Sequence, residues 1–250
     1  MMKVSVITVT YNSEKYLEDC ILSVLKQRYQ NIEHIIIDGK STDNTLNIIH
    51  RYQNRIAKFI SETDRGMYDA INKGMQMASG DIIGILNSDD MLDTDDVIDA
   101  IVSAFEQNDV DTVYGDLEYV AANDTSKIIR IWKGRTFKRG RFRYGWMPAH
   151  PTFYIKRSLV EKYGYYENHY YSAADYEFMA RYLYKNKVSS YYLPKLIVKM
   201  RMGGQSNRNL HQRLRANRRD YLAMKKNDIP FAFFVSILKP LIKVNQFFKK

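Results

Sequence analysis

The chain has 250 residues, 45% of them hydrophobic, which suits one α/β domain or one and a half with a sizeable core and excludes global disorder. Its formal net charge of +10 hides an asymmetry: residues 1–125 carry 10 Lys+Arg against 22 Asp+Glu, and residues 126–250 carry 28 against 6. An acidic first half suits a metal site and a basic second half a phosphate-bearing partner or an anionic surface, whereas a solvated charged face does not explain a swing of this size.

The single cysteine, Cys20, cannot staple the fold, so a reducing, cytoplasmic setting is the default expectation. It falls on the apolar face of a predicted helix and reads as a buried structural thiol. The apolar run Val4–Val9 ends too soon for a secretory signal, and no stretch reaches the ~18 apolar residues of a membrane span.

In chain order, Val4–Val9 predicts a strand. Asn12 or Ser13 is placed to cap a helix whose apolar positions are Tyr16, Leu17, Cys20, Ile21, Val24 and Leu25. A strand over Ile32–Ile37 follows, then Ser41, Thr42 and Asp43 as caps for a helix carrying Leu46, Ile48, Ile49 and Tyr52. Phe59-Ile60 is a weak strand, Met67–Ala78 a helix stopped by Ser79-Gly80, and Ile82–Leu86 a buried strand. Asp95–Gln107 is helical, with Val97, Ile98, Ile101, Val102 and Phe105 on one face, and Thr112–Tyr114 is another strand. Strands alternating with helices imply βαβ crossovers, a Rossmann-like and mostly parallel sheet, and a ligand beyond the carboxyl ends of its strands.

The second half is less regular. Residues 133–152, rich in Gly, Arg, Lys and aromatics, read as a long loop, and helices are expected near 156–163, 175–186 and 209–227. This reads as one domain over 1–206, dividing at about 115/116, followed by a basic helical appendage over 207–250.

The polar residues at strand ends carry the chemistry. Asp38 closes the second strand, where a carboxylate accepts hydrogen bonds from a base or ribose; a helix cap is the alternative, for which Thr42 and Asp43 are better placed. Asn87-Ser88-Asp89-Asp90 follows the Ile82–Leu86 strand. Adjacent carboxylates there call for a positive partner, and Mg²⁺ or Mn²⁺ with its oxygen preference fits, although Asn and Asp also suit a plain turn. The segment Ser61–Gly74 packs polar groups into a helix start; Asp64 lies in it, and Asp69, Asn72 and Lys73 share one helical face that either addresses a nucleotide or faces solvent. His150, between Pro148 and Pro151, reads as a metal ligand, an acceptor contact or an ordinary loop histidine. Asp175, at the start of a helix, is either an N-cap or a general base aimed into the cleft.

The order Val4-Ser-Val-Ile-Thr-Val-Thr-Tyr-Asn12, Ile37-Asp-Gly-Lys-Ser-Thr-Asp43, Asn72-Lys-Gly74, Gly80-Asp-Ile-Ile-Gly-Ile-Leu-Asn-Ser-Asp-Asp90 and Ala174-Asp175 closely resembles the family 2 glycosyltransferases of GT-A fold. The match is strongest over residues 3–100 and continues weakly to Gly203-Gly204-Gln205-Ser206. The resemblance implies that Thr10 and Tyr11 line the nucleotide pocket, Asp38 binds the base, and Asn87 and Asp89 end the metal motif, with Asp89 on Mn²⁺ or Mg²⁺. It also implies Asp175 as the base of an inverting transfer. Glu62–Gly74 resembles a subgroup that builds capsule, exopolysaccharide or O-antigen chains. Two positions depart from the family's pattern: Asn87 stands where an aspartate is usual, and Ala174 precedes Asp175 where glutamate is frequent.

The nucleotide-sugar contacts expected are therefore Thr10, Tyr11, Asp38, Asp64, Asn72, Lys73, Asn87 and Asp90. Arg141, Arg143, Trp146 and His150 are expected at the acceptor, because arginine pairs with phosphate and aromatic faces stack on sugars, which suits a lipid-pyrophosphate-linked saccharide. The tail, Phe231–Leu238 with the lysines after it, reads as an interfacial anchor on the inner face of a membrane or as a helix packed on the domain or a twin subunit. Two rival classes fit less well. A nicotinamide oxidoreductase should show Gly-x-Gly-x-x-Gly after the first strand, where this chain has Thr10-Tyr11-Asn12-Ser13. A nucleic-acid binder suits the basic half but gives no reason for acidic strand ends.

Overall fold

The computed structural model describes residues 1–203 and 210–236. The family-like residues 204–206, the proposed boundary at 206 and the lysines from Lys239 onward lie outside them.

The strands are β1 (Val4–Thr10), β2 (Ile32–Asp38), β3 (Lys58–Ser61), β4 (Ile82–Ile85), β5 (Met91–Leu92), β6 (Thr112–Ala121), β7 (Asp124–Trp132), β8 (Tyr154–Lys156) and β9 (Ser190–Arg201). The helices are α1 (Leu17–Leu25), α2 (Thr45–Arg51), α3 (Met67–Met77), α4 (Val97–Asn108), α5 (Arg157–Tyr163), α6 (Ala174–Met179) and α7 (Leu210–Lys226). They build one mixed sheet in the order β3-β2-β1-β4-β8-β6-β9-β5, with β7 paired to β6. The first four strands are parallel, as the alternation of strand and helix predicts. β8 then runs antiparallel to both β4 and β6, so the parallel half ends at β4.

Burial explains this arrangement. Every residue of β1 is buried, Ser5, Thr8 and Thr10 included, as in a parallel strand covered on both faces. Helix α1 buries Leu17, Cys20, Ile21 and Val24, one stripe at helical spacing. Cys20 is the structural thiol expected: burial pushes it up to about 12, well out of reactive range. Helix α3 lies directly over β1 and β2 because Gly74 has no Cβ, which would otherwise run into the side chains of Ile7 and Ile37.

Several local expectations change. Asn12 does not cap α1; its side-chain oxygen accepts the Thr42 N–H at 2.9 Å, tying the loop after β1 to the loop after β2. Strands β7, β8 and β9 were not foreseen. The solvent-facing edge strand β7 leaves Ile128, Ile129 and Ile131 exposed, so its sequence carries no inside–outside alternation. β9 contains Pro194, which sits where the β6–β9 register shifts between Tyr114 and Asp116 and thus needs no ladder N–H. The helices near 156–163, 175–186 and 209–227 appear as α5, as α6 continued by a wider π-type turn over Ala180–Lys185, and as α7. Helix α7 and the chain after it pack on the body: Ala223 and Met224 of the helix and Ile229 and Val235 beyond it join the core formed with Tyr170, Tyr176 and Tyr182.

Candidate active site

The carboxyl ends of β1, β2, β3 and β4 lie along one edge of the sheet. Thr10 pairs with Asp38 and Asp38 with Ser61 in register, so three strand ends finish level. β8 runs antiparallel beside β4 with Gly84 opposite Tyr154, which brings the 3₁₀ turn His150–Thr152 to the same edge. The loops leaving this edge carry nearly all the candidate residues.

Asp38 is fully buried at the floor. Its Oδ2 accepts the Ser41 N–H at 3.0 Å and the Ser61 hydroxyl at 2.6 Å, and its Oδ1 accepts the Ser41 hydroxyl at 2.5 Å. Three donors thus fix the carboxylate, and a base would reach it as a further donor. Above it Tyr11 is 61% exposed, presenting an open aromatic face. Asp64 bends over Gly39, where any side chain would collide with its Oδ2. Thr10 leaves its hydroxyl oxygen buried without a hydrogen-bond partner among the described residues.

Asn87, Ser88, Asp89 and Asp90 form the loop after β4. Ser88 meets Ser13 across the edge, hydroxyl to hydroxyl at 2.9 Å. Asn87 donates to Asp90 Oδ2 at 3.2 Å, while Asp90 Oδ1 is buried with no hydrogen-bond partner among the described residues. Burial pushes the carboxyls of both Asp89 and Asp90 up, and the Asp89 charge adds to the rise at Asp90. Arg201, at the end of β9, is a cation whose charge acts on both carboxyls; it donates to the Asp89 carbonyl at 3.0 Å and pairs with Asp19 at 2.5 Å. Two crowded carboxylates with one orphaned oxygen match the donor set of a hard divalent cation. No group of three or more metal-ligating side chains exists among the described residues, so a cation here would take its remaining ligands from substrate oxygens and water.

Asp175 lies in the first turn of α6, just after the segment Asn168–Ala173 that leads into the helix. The Tyr68 hydroxyl donates to Asp175 Oδ2 at 2.9 Å, and His150 Nε2 stands 3.6 Å from the same oxygen. Burial, and then the Asp175 charge, push the Tyr68 phenol well above its ordinary range, so it remains a donor. Tyr68 stacks on Tyr166, and Tyr166 on Phe178, with ring centroids 5.3 and 4.2 Å apart.

Two expected nucleotide contacts have partners within the protein. The Asn72 amide is occupied by the backbone of Tyr166, accepting its N–H at 2.9 Å and donating to its carbonyl at 2.8 Å, so Asn72 braces the segment leading to Asp175. Lys73 pairs with Glu62 at 2.8 Å and with Asp69 at 3.8 Å and donates to the Thr63 carbonyl, which holds the loop after β3. At the expected acceptor loop, the Arg141 guanidinium lies 5.5 Å over the Trp146 ring and Arg143 reaches the Tyr184 hydroxyl at 3.3 Å. Arg139 lies 4.5 Å over the Tyr184 ring and donates to its carbonyl. His150 belongs with Asp175 and Tyr68. Sequence reasoning missed Tyr68, which the helical pattern marks only as apolar, and Arg201, which ends a strand that was not foreseen.

An open α/β sheet with an acidic loop and a held carboxylate at its carboxyl edge has the layout of a ligand site beyond the strand ends. Comparison with known proteins narrows the class. The Glycosyl transferase family 2 profile matches residues 5–164. Over 181 residues the chain is 34% identical to an uncharacterized glycosyltransferase of Mycobacterium tuberculosis, MT1564, covering 71% of this chain and 68% of that protein. Over 115 residues it is 36% identical to the glycosyltransferase GlyG of Streptococcus pneumoniae, covering 45% of this chain and 38% of GlyG. Among solved structures, S. aureus TarS 1-349 in complex with UDP-GlcNAc superposes with a TM-score of 0.68 at 20% identity, covering 96% of this chain and 72% of that one. The mannosyltransferase PcManGT from Pyrobaculum calidifontis, with GDP-Man and Mn²⁺, gives 0.65 at 17% identity, covering 98% and 75%. The chain belongs to glycosyl transferase family 2. Its fold is GT-A-like, and among the described residues no helix is long and apolar enough to cross a membrane.

Proposed function

We propose that this protein moves one sugar, with inversion, from a UDP-sugar or another nucleotide diphosphate sugar to a hydroxyl of a lipid-linked saccharide in surface polysaccharide synthesis. The observation that carries the reading is the Asp89–Asp90 pair beyond β4, with its buried, unpartnered oxygen on the same edge as the Tyr68–Asp175 hydrogen bond. The pair supplies a seat for a diphosphate's counter-ion, and Asp175 supplies a base.

In this mechanism Tyr11, Thr10 and Asp64 wall the nucleotide pocket over Asp38. Asp89, with Asp90 beside it, would hold Mn²⁺ or Mg²⁺, which when bound neutralises charge on the diphosphate leaving group. Asp175 takes the proton of the acceptor hydroxyl as its oxygen bonds to the anomeric carbon and the bond from that carbon to the diphosphate breaks. Tyr68 holds the carboxylate in one orientation, leaving its other oxygen for the acceptor. Arg141, Arg143 and Trp146 receive the acceptor. Glycosyl transfer, not nucleic-acid or nicotinamide binding, is favoured by an acidic edge that repels a phosphate backbone unless a cation intervenes.

Thermal stabilisation tests the reading. UDP with Mn²⁺ should raise the melting temperature, whereas NAD and RNA should not, and a nucleotide-sugar panel should show hydrolysis of one donor. Stabilisation by NAD or RNA alone would overturn it.

A further inference from the structure

Helix α7 and the turn after it form a surface that the transfer reaction does not use. Leu222, Phe231, Phe233 and Phe234 are 43%, 76%, 60% and 62% exposed. They are not on a loosely held tail, because Ile229 and Val235, on either side of the phenylalanines, are buried in the core. The Tyr221 ring meets Phe233 edge-on at 6.4 Å and Phe233 meets Phe234 at 5.7 Å, so helix and turn present one continuous apolar face.

That face is rimmed by cations. Arg218, Leu222 and Lys225 are exposed at positions i, i+4 and i+7 of α7, a single stripe. Beside them a cavity of about 430 Å³ is lined by His169, Tyr170, Arg219, Leu222, Lys225 and Lys226. The Arg219 guanidinium lies 4.2 Å over the Tyr171 ring, and Tyr171 precedes Asp175 on the segment that helix α7 packs against. The surface therefore backs the catalytic carboxylate's own support.

We infer that α7 and residues 229–236 form an interfacial surface that docks this enzyme on an anionic lipid bilayer, with Phe231, Phe233 and Phe234 entering the headgroup region and Arg218, Arg219 and Lys225 meeting the lipid phosphates. Aromatic side chains beside basic ones are the composition of a segment lying in the interface plane. Charge selects the bilayer over a second copy of the chain: a two-fold contact through this patch would bring like-charged rims together. The inference deepens the lipid-linked acceptor reading, but binding is read without donor or acceptor, so either can fail alone.

Sedimentation of the full chain with vesicles tests it. Vesicles of phosphatidylcholine mixed with phosphatidylglycerol should bind at least about tenfold more strongly than phosphatidylcholine alone, since each basic residue at an anionic surface contributes on the order of fivefold. Salt should weaken the binding. F231S/F233S/F234S and, separately, R218E/K225E should each lose about tenfold or more, while melting temperature and stabilisation by UDP with Mn²⁺ stay unchanged. Equal affinity for both vesicles, no binding, or a wild-type dimer that the phenylalanine variant dissolves without any vesicle binding would each overturn it.

Discussion

The Tyr68 hydroxyl donates to Asp175 Oδ2 at 2.9 Å, joining α3 to α6 across 107 residues of chain. Because Tyr68 also stacks in a column with Tyr166 and Phe178, the hydroxyl is held by packing and not by its own hydrogen bond alone. Tyr68→Phe keeps the stack and removes the donor. One hydrogen bond to a charged group contributes roughly 1.5–3 kcal/mol, so kcat should fall by about ten- to a hundredfold. The melting temperature and the affinity for UDP should stay as in the wild type. Unchanged kcat in steady-state assays would show that Tyr68 does not position the base.

Donor binding should depend on Asp89 and on a divalent cation. Asp89→Asn keeps the shape of the loop and removes one anionic oxygen, and should lower activity at least about tenfold. Stabilisation by UDP should likewise disappear in EDTA and return with Mn²⁺. Full activity in EDTA, measured on purified protein, would rule this out.

The parallel half of the fold and its polar edge were legible because both follow from short-range pattern. β1 and β2 are short runs rich in Val and Ile, the helices α1 and α2 after them bury one stripe each, Asp38 closes β2, and Asn87–Asp90 lie just beyond β4. The second half was harder to read for particular reasons. β9 carries Pro194 and makes up for it with a register shift against β6, a compensation that no local pattern announces. Asn72 and Lys73 share the helical face expected, but whether a polar face meets ligand, solvent or another segment is a tertiary fact; here Asn72 meets Tyr166 and Lys73 meets Glu62. Tyr68 was hidden for the same reason, since its hydroxyl has meaning only once α6 is beside it.

The arginines of the 139–143 turn should separate into two kinds. Arg139 stacks on Tyr184 and donates to its carbonyl at 2.6 Å, so Arg139→Ala should lower the melting temperature. Arg143 is exposed and has its side chain near the Tyr184 hydroxyl at 3.3 Å, so Arg143→Ala should raise the acceptor KM severalfold and spare donor hydrolysis. Acceptor titrations at saturating donor check this; equal loss of transfer and hydrolysis in Arg143→Ala would remove it from the acceptor site.

At the opposite end of β2, Glu33 should govern acid stability. Burial raises its carboxyl, but hydrogen bonds from Lys3, Ser5 and Ser79 outweigh that and hold it at about 2, against an ordinary value of 4.5. A depressed carboxyl stabilises the fold fully above about pH 4.5, and that stability drains away as pH falls toward 2. It amounts to on the order of 2–3 kcal/mol. His34 adds to the acid sensitivity: burial lowers it from 6.5 to about 4, so stability already declines as pH drops below 6.5. Glu33→Gln should lose melting temperature at neutral pH, and its deficit against the wild type should shrink below about 4.5. A deficit independent of pH would show that shape, and not charge, is what Glu33 contributes.

Asp175 and Glu177 are two residues apart, and the structure gives them opposite tasks. Asp175 keeps part of its side chain open at the cleft, at 14% exposure, with Tyr68 and His150 on one oxygen. Glu177 is wholly buried, paired with Arg181 at 3.0 Å and Lys226 at 3.5 Å and accepting from Asn227. Glu177 is therefore no neutral control for the base, as helical spacing alone would suggest; it ties α6 to α7. Glu177→Gln should cost about 2 kcal/mol of stability, because it leaves two cations beside a group that no longer answers their charge. Whatever folded enzyme remains should transfer sugar at nearly the wild-type rate. Asp175→Asn should behave in the reverse way. Asparagine is nearly the same shape and still accepts the Tyr68 hydroxyl, so the melting temperature and UDP affinity should hold. It cannot take the acceptor's proton, and a general base contributes roughly 10²–10⁴-fold, so kcat should fall at least about a hundredfold. The pair of variants, measured for both melting temperature and kcat, makes the assignment decidable. Near-wild-type transfer by Asp175→Asn would place the base elsewhere, and His150, 3.6 Å from the same oxygen, would be the next group to replace.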